Sequence, residues 1–116
     1  MADVFDVKVE KKGDFAILRT DGYVNNLGGE KIGEVADSLM KDGIIKLIIN
    51  FEKSTVVNSI GISILIEVIE KLVDNGGQIA FSNLTKTIAK TFNIMGLTQF
   101  SEIFDTEADA VAALSA

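Results

Sequence analysis

The sequence predicts one α/β domain spanning residues 1–116, a mixed β-sheet of four to five strands with about four helices. Three observations carry that expectation. Residues 4–20 hold two short β-rich runs parted by the turn Lys12-Gly13-Asp14, the pattern of an opening hairpin. Residues 44–51 form a β-branched run with almost no polar alternation, as expected of a strand covered on both faces. From there on, helical periodicity alternates with short strands, which calls for parallel strands joined by right-handed crossovers.

The first strand alternates Val4, Asp6 and Lys8 with Phe5, Val7 and Val9, and the second covers residues 15–20. A helix follows over residues 28–42, where Ile32, Val35, Ala36, Leu39 and Met40 recur at helical spacing among charged residues and Gly43 ends the run. Residues 44–51 are then the central strand. Past the polar residues 52–55, the positions Ile62, Leu65, Ile66, Ile69, Leu72 and Val73 return to helical spacing and stop at Asn75-Gly76-Gly77. Residues 78–82 read as a short strand. Residues 85–95 read as a helix with Ile88, Ala89, Phe92 and Met95 inward and Gly96 as its cap. Residues 101–104 suit an edge strand. The alanine-rich residues 106–114 suit a closing helix, with Glu107 and Asp109 in the first turn, where the helix dipole favours acids.

Composition narrows the chemistry. Apolar residues make up 47% and charged residues 24%, the balance of a chain that folds around its own core without staples. Cysteine and histidine are both absent, which removes thiol nucleophiles, disulfides, the usual zinc sites and imidazole acid-base catalysis. The first residues lack a basic region followed by an apolar stretch, so a cytoplasmic location is expected, and no apolar run is long enough for direct membrane insertion. With 17 acidic against 11 basic residues the net charge is −6, which opposes nucleic acid and anionic lipid and favours a protein partner.

Two constellations suggest chemistry and then withdraw it. Gly28-Gly29-Glu30-Lys31-Ile32-Gly33 precedes a helix, but its spacing fits neither the P-loop nor the dinucleotide fingerprint, and it reads as a flexible helix start. Glu67 and Glu70 fall on the solvent face of the second helix, where charges mostly keep a surface wet. With no nucleophile-base pair, metal cluster or phosphate loop, the chain is expected to be no enzyme and to hold no cofactor or metal.

Val56-Val57-Asn58-Ser59-Ile60-Gly61 joins the loop after the central strand to the next helix. Asn and Ser there are good N-caps. The same physics admits a second use: a hydroxyl at a helix start lies beside free N–H donors and the positive end of the dipole, where a phosphate is well received. Ser59 also begins a polar stripe with Ser63, Glu67, Glu70, Lys71 and Asp74, which should face solvent and leave the serine within reach of another protein. Ile60 and Ile64 flank that stripe, an exposed apolar pair suited to docking.

Three stretches resemble the STAS family, the anti-sigma factor antagonists of bacterial partner-switching systems. Gly22-Tyr23-Val24-Asn25 is similar to the family's glycine-x-leucine-aspartate at the end of the second strand. Ile48-Ile49-Asn50-Phe51 through Val57-Asn58-Ser59-Ile60-Gly61-Ile62 is similar to its strand and aspartate-serine-serine-glycine loop. Phe92-Asn93-Ile94-Met95-Gly96-Leu97, followed by Phe100, Ile103 and Phe104, is similar to its phenylalanine-x-x-x-glycine-leucine segment. The likeness covers essentially the whole chain, with the family's order of elements.

The resemblance implies a STAS-type domain that regulates transcription by binding an anti-sigma serine kinase and so freeing a sigma factor. Ser59 is the implied phosphorylation site. Asn25, Asn58, Ser59, Ile60, Gly61, Ser63 and Ile64 are the implied partner-binding residues. ATP enters only as phosphodonor through the kinase, and a serine phosphatase resets the switch. Asn25 and Asn58 stand where the family usually has aspartates, and Ile60 where a second small residue is common. Asparagine keeps the capping shape and loses the charge. The alternative implied by the same resemblance is a structural subunit of a lipid-transport or transporter complex, with Ser59 serving only the helix start.

Overall fold

The computed structural model describes residues 4–115. β1 (Asp6–Lys12) and β2 (Phe15–Asp21) form the expected hairpin, and Gly13 takes the left-handed φ of 62° that its two-residue turn requires. There follow α1 (Asn26–Lys41), β3 (Lys46–Lys53), α2 (Ser59–Asp74), β4 (Gln78–Ser82), α3 (Lys86–Ile94), a 3₁₀ turn (Leu97–Gln99), β5 (Glu102–Phe104) and α4 (Glu107–Ser115). The sheet has five strands in the order β1-β2-β3-β4-β5, antiparallel in the hairpin and parallel thereafter. It is the mixed sheet the sequence predicts, with residues 46–53 at its centre.

The two faces of the sheet are covered unequally. On one, Leu18, Leu47, Ile49, Phe51 and Phe81 pack against Ile32, Leu39, Leu65, Leu72, Ile88 and Phe92 from α1, α2 and α3. Phe51, Phe81 and Phe92 meet edge to face there, with ring centroids 5.1 to 6.0 Å apart. On the other face α4 alone closes a smaller cluster of Phe15, Ile17, Ile48, Ala80, Ala110 and Leu114. Burial on both sides explains why residues 47–51 carry no polar alternation except at Asn50.

The structure corrects several boundaries. The first strand starts at Asp6, and Val4 lies exposed before it. The first helix starts at Asn26 rather than Gly28, because Asn25 caps it. Ile44 and Ile45 belong to the connection into β3, where the Ile44 N–H donates to the Leu39 carbonyl and closes α1. Met95 does not point inward: Gly96 adopts φ 86°, ends the helix, and turns Leu97 into the core, leaving Met95 50% exposed. Ala89 is half-buried.

Candidate functional site

The predicted site residues lie where two strand-to-helix junctions meet at the C-terminal ends of β2 and β3. The backbone zips them together. The Gly22 N–H donates to the Lys53 carbonyl, the Val24 N–H to that of Val56, and the Asn58 N–H to that of Val24, at 3.0, 3.0 and 3.1 Å. Val24 and Val57 form an isolated parallel bridge between the same loops. Residues 33 positions apart in sequence, Asn25 and Asn58, are thereby set at neighbouring helix starts.

Each asparagine caps its helix. Asn25 Oδ1 accepts from the Gly28 N–H at 3.0 Å, and Asn58 Oδ1 from the Gly61 N–H at 2.8 Å. Both caps have extended backbone, the geometry in which a side-chain oxygen reaches the third N–H of the helix. The sequence left open whether asparagine or serine serves as cap. It is Asn58, and Ser59 is the first residue of α2, exposed, its hydroxyl not spent on capping.

Glycine sets how closely the junctions approach. A Cβ on Gly61 would collide with the Val24 carbonyl oxygen, and one on Gly29 would come within 2.9 Å of Ile64 Cδ1. One on Gly28 would lie 2.6 Å from the Tyr23 carbonyl oxygen. The stretch read from sequence as a flexible helix start is therefore a close packing contact with Gly28 and Gly29 both buried.

The stripe Ser59, Ser63, Glu67, Glu70, Lys71 and Asp74 is exposed along its length, and the Ser63 hydroxyl donates back to the Ser59 carbonyl at 3.0 Å. The apolar pair beside it divides. Ile60 is 54% exposed, whereas Ile64 is half-buried because its tip packs against Gly29 of α1. Three exposed apolar residues that sequence reasoning missed surround the junctions: Tyr23, Leu27 at 67% exposure, and Val56. Leu27 had a signal, since Asn25-Asn26-Leu27-Gly28 repeats the pattern of Asn58-Ser59-Ile60-Gly61. Tyr23 and Val56 had none, because their neighbourhood arises from the zipped loops.

Chemically the site offers a hydroxyl and no partner for it. Neither α1 nor α2 carries an acid in its first turn, so the positive end of each helix dipole is left unneutralised. The first N–H groups of α2, at Ser59 and Ile60, have no acceptor within the helix. Asn25, Asn58 and Ser63 cannot take a proton from Ser59 at neutral pH, so none of these three neighbours can act as its general base.

The charged groups that do interact strongly lie on the other face of the sheet. The Arg19 guanidinium donates to both oxygens of Glu107, at 2.8 Å each, and to Glu10 at 2.9 Å, while Asn50 Nδ2 donates to Glu107 at 3.0 Å. Arg19 thereby holds the carboxyls of Glu107 and Glu10 below their ordinary range, and its own pKa is raised by them. Part of this cluster lines a shallow cavity of about 200 Å³ with Asp6, Lys8, Thr20, Asp21, Glu52 and Lys53. Its acids and bases neutralise one another across β1, β2 and α4, and the cluster fastens α4 to the sheet. Among the described residues no group of three or more acids could hold a metal ion, and no helix is long and apolar enough to cross a membrane.

A family model of the STAS domain matches residues 6–110. Among solved structures, the Bacillus cell fate determinant SpoIIAA in its phosphorylated form superposes with a TM-score of 0.74 at 21% identity, covering 94% of this chain and 99% of that one. The anti-sigma factor antagonist SpoIIAA in its unphosphorylated form gives 0.76 at 18% identity, covering 95% and 98%. An anti-sigma factor antagonist from Mycobacterium paratuberculosis gives 0.83 at 18% identity, covering 97% and 96%. At these identities the likeness to solved structures is one of fold.

Proposed function

The chain belongs to the STAS domain family, and from that premise we propose that it is an anti-sigma factor antagonist whose Ser59 carries a phosphorylation switch. The observation that carries the reading is the setting of Ser59: an exposed hydroxyl at the first residue of α2, free of capping duty, on a pair of zipped junctions that also carry the exposed apolar side chains Tyr23, Leu27, Val56 and Ile60. Exposed apolar side chains grouped on two adjoining junctions suit a protein partner. That two of the similar folds are described as unphosphorylated and phosphorylated forms of one antagonist supports the same reading.

In this account the unphosphorylated chain docks on an anti-sigma serine kinase through Asn25, Leu27, Asn58, Ser59 and Ile60, with Ser63 beside them, and the kinase gives up its sigma factor. Ser59 Oγ then attacks the γ-phosphorus of ATP held by the kinase. ADP leaves, and the hydroxyl proton passes to a base of the kinase, since this chain supplies none at the site. The phosphate adds about −1.5 to −2 charges at the centre of the docking surface. In the free protein those charges lie against the N-terminus of α2 with no acid in its first turn. In the complex they must be desolvated among apolar side chains, so the complex separates. A serine phosphatase, hydrolysing the phosphoester, returns the chain to its binding form.

Calorimetric titration of the serine kinase encoded nearest this gene tests the docking half of the proposal. Ser59→Ala should bind like the unaltered chain. Ile60→Ala should weaken binding about tenfold, and Ser59→Glu roughly a hundredfold. Equal affinity for Ser59→Glu and the unaltered chain would overturn the proposal.

A further inference from the structure

Among the described residues β1 is an edge of the sheet, paired only with β2. In a hairpin closed by a two-residue turn, the closing pair, here Lys12 and Phe15, exchanges both backbone hydrogen bonds. Alternation then turns the N–H and C=O groups of Lys12, Glu10, Lys8 and Asp6 toward β2. Those of Lys11, Val9 and Val7 point outward from the sheet. At the middle of this open edge sits Val9, 43% exposed, beside a groove lined by Lys11, Val35, Ser38, Leu39 and Asp42.

We propose that this edge pairs with β1 of a second copy, antiparallel and centred on Val9. The charge sequence selects both the partner and the register. Asp6, Lys8, Glu10 and Lys12 alternate in sign along the face of β1 that α4 leaves bare. When Val9 meets Val9, Asp6 stands opposite Lys12 of the second copy and Lys8 opposite Glu10, so all four cross-strand pairs are of opposite charge. The outward backbone groups of Val7, Val9 and Lys11 then meet their counterparts in bonded positions. Sliding the strands by two residues in either sense breaks the match. One slip opposes Asp6 with Glu10 and Lys8 with Lys8, the other Lys8 with Lys12 and Glu10 with Glu10.

Charged edges usually turn foreign strands away, and in the two slipped registers the same charges also oppose pairing with a second copy. Glu10 already contacts Arg19 through one oxygen at 2.9 Å and Lys12 through the other at 3.5 Å. It remains exposed enough to receive Lys8 of the second copy. The pairs are solvated, so the association is concentration-dependent and weakens with salt. α1 stands between this edge and α2, so pairing leaves both Ser59 surfaces uncovered, and the dimer presents two of them.

Sedimentation equilibrium at low salt, over concentrations rising to millimolar, tests the pairing. The unaltered chain should rise from its 12.5 kDa toward twice that mass. Lys8→Glu alone and Glu10→Lys alone each set like charges opposite and should stay at single-chain mass. Mixed in equal amounts they become complementary and should associate, as should the double variant Lys8→Glu/Glu10→Lys. A wild-type chain that keeps the single-chain mass throughout, or a Lys8→Glu variant that associates as the wild type does, overturns the proposal. So does failure of both the mixture and the double variant.

Discussion

Asn25-Asn26-Leu27-Gly28 and Asn58-Ser59-Ile60-Gly61 are laid out alike. In each an asparagine caps the helix, a polar residue opens it, an exposed apolar residue follows, and a glycine offers its N–H to the cap. Each glycine also lies against a backbone carbonyl, Tyr23 for Gly28 and Val24 for Gly61. The difference is one group: the helix opens on an amide at Asn26 and on a hydroxyl at Ser59. What the two share is explained by folding, since caps and close approaches let two helices start side by side. What they do not share is the hydroxyl of Ser59, where the proposed switch resides.

The comparison can be broken most forcibly at the glycines. Gly61→Ala drives a methyl into the Val24 carbonyl and should cost about 3 kcal/mol, read as a lowered midpoint in urea unfolding. Gly33→Ala, in α1 where a Cβ would meet only Ile64 and Val68 at 3.9 and 4.0 Å, should instead stabilise by roughly 0.5 to 1 kcal/mol. Next come the paired charge insertions. Ser59→Glu should weaken kinase binding by about 2.7 kcal/mol, roughly a hundredfold, in the calorimeter. Asn26→Glu, the same charge at the twin junction, should weaken it by far less. Equal losses would mean that the two junctions are used alike. Removing the caps one at a time, Asn25→Ala or Asn58→Ala, should each cost about 1 kcal/mol of stability in thermal unfolding.

The smallest effect belongs to the opposite face and serves as a control. Arg19 lowers the folded pKa of Glu107, so the pair contributes stability that is present above the ordinary carboxylate range and lost as pH falls through the folded value. Glu107→Gln should remove about 1 kcal/mol or less near neutrality and flatten that acid limb, while kinase binding stays unchanged. Unfolding followed between neutral and acid pH reads the difference.

The order of elements and the helices were legible because their signals are local: alternation in β1, the unbroken apolar run of β3, and helical spacing after Ser59. The misplacements have local causes as well. Asn25 looked like the end of a strand, so α1 was started late, and Met95 fits the inward spacing of α3 but lies exposed at the helix end, beside the Gly96 that was expected to cap it. At the site, the motif around Ser59 was readable, but Tyr23 and Val56 gained their importance only when Val24 bridged to Val57. Ile64 looked exposed from its own helix, and only the approach of Gly29 from α1 takes it partly inside. The grip of Arg19 on Glu107 spans 88 residues and leaves no trace in spacing.

The most direct test of the switch is the intact mass of the chain, and of its Ser59→Ala variant, after incubation with ATP and the serine kinase encoded nearest the gene. The account predicts one added phosphate on the unaltered chain and none on the variant. An unmodified wild-type chain in a demonstrable complex with that kinase, or a phosphate still gained by Ser59→Ala, would contradict it.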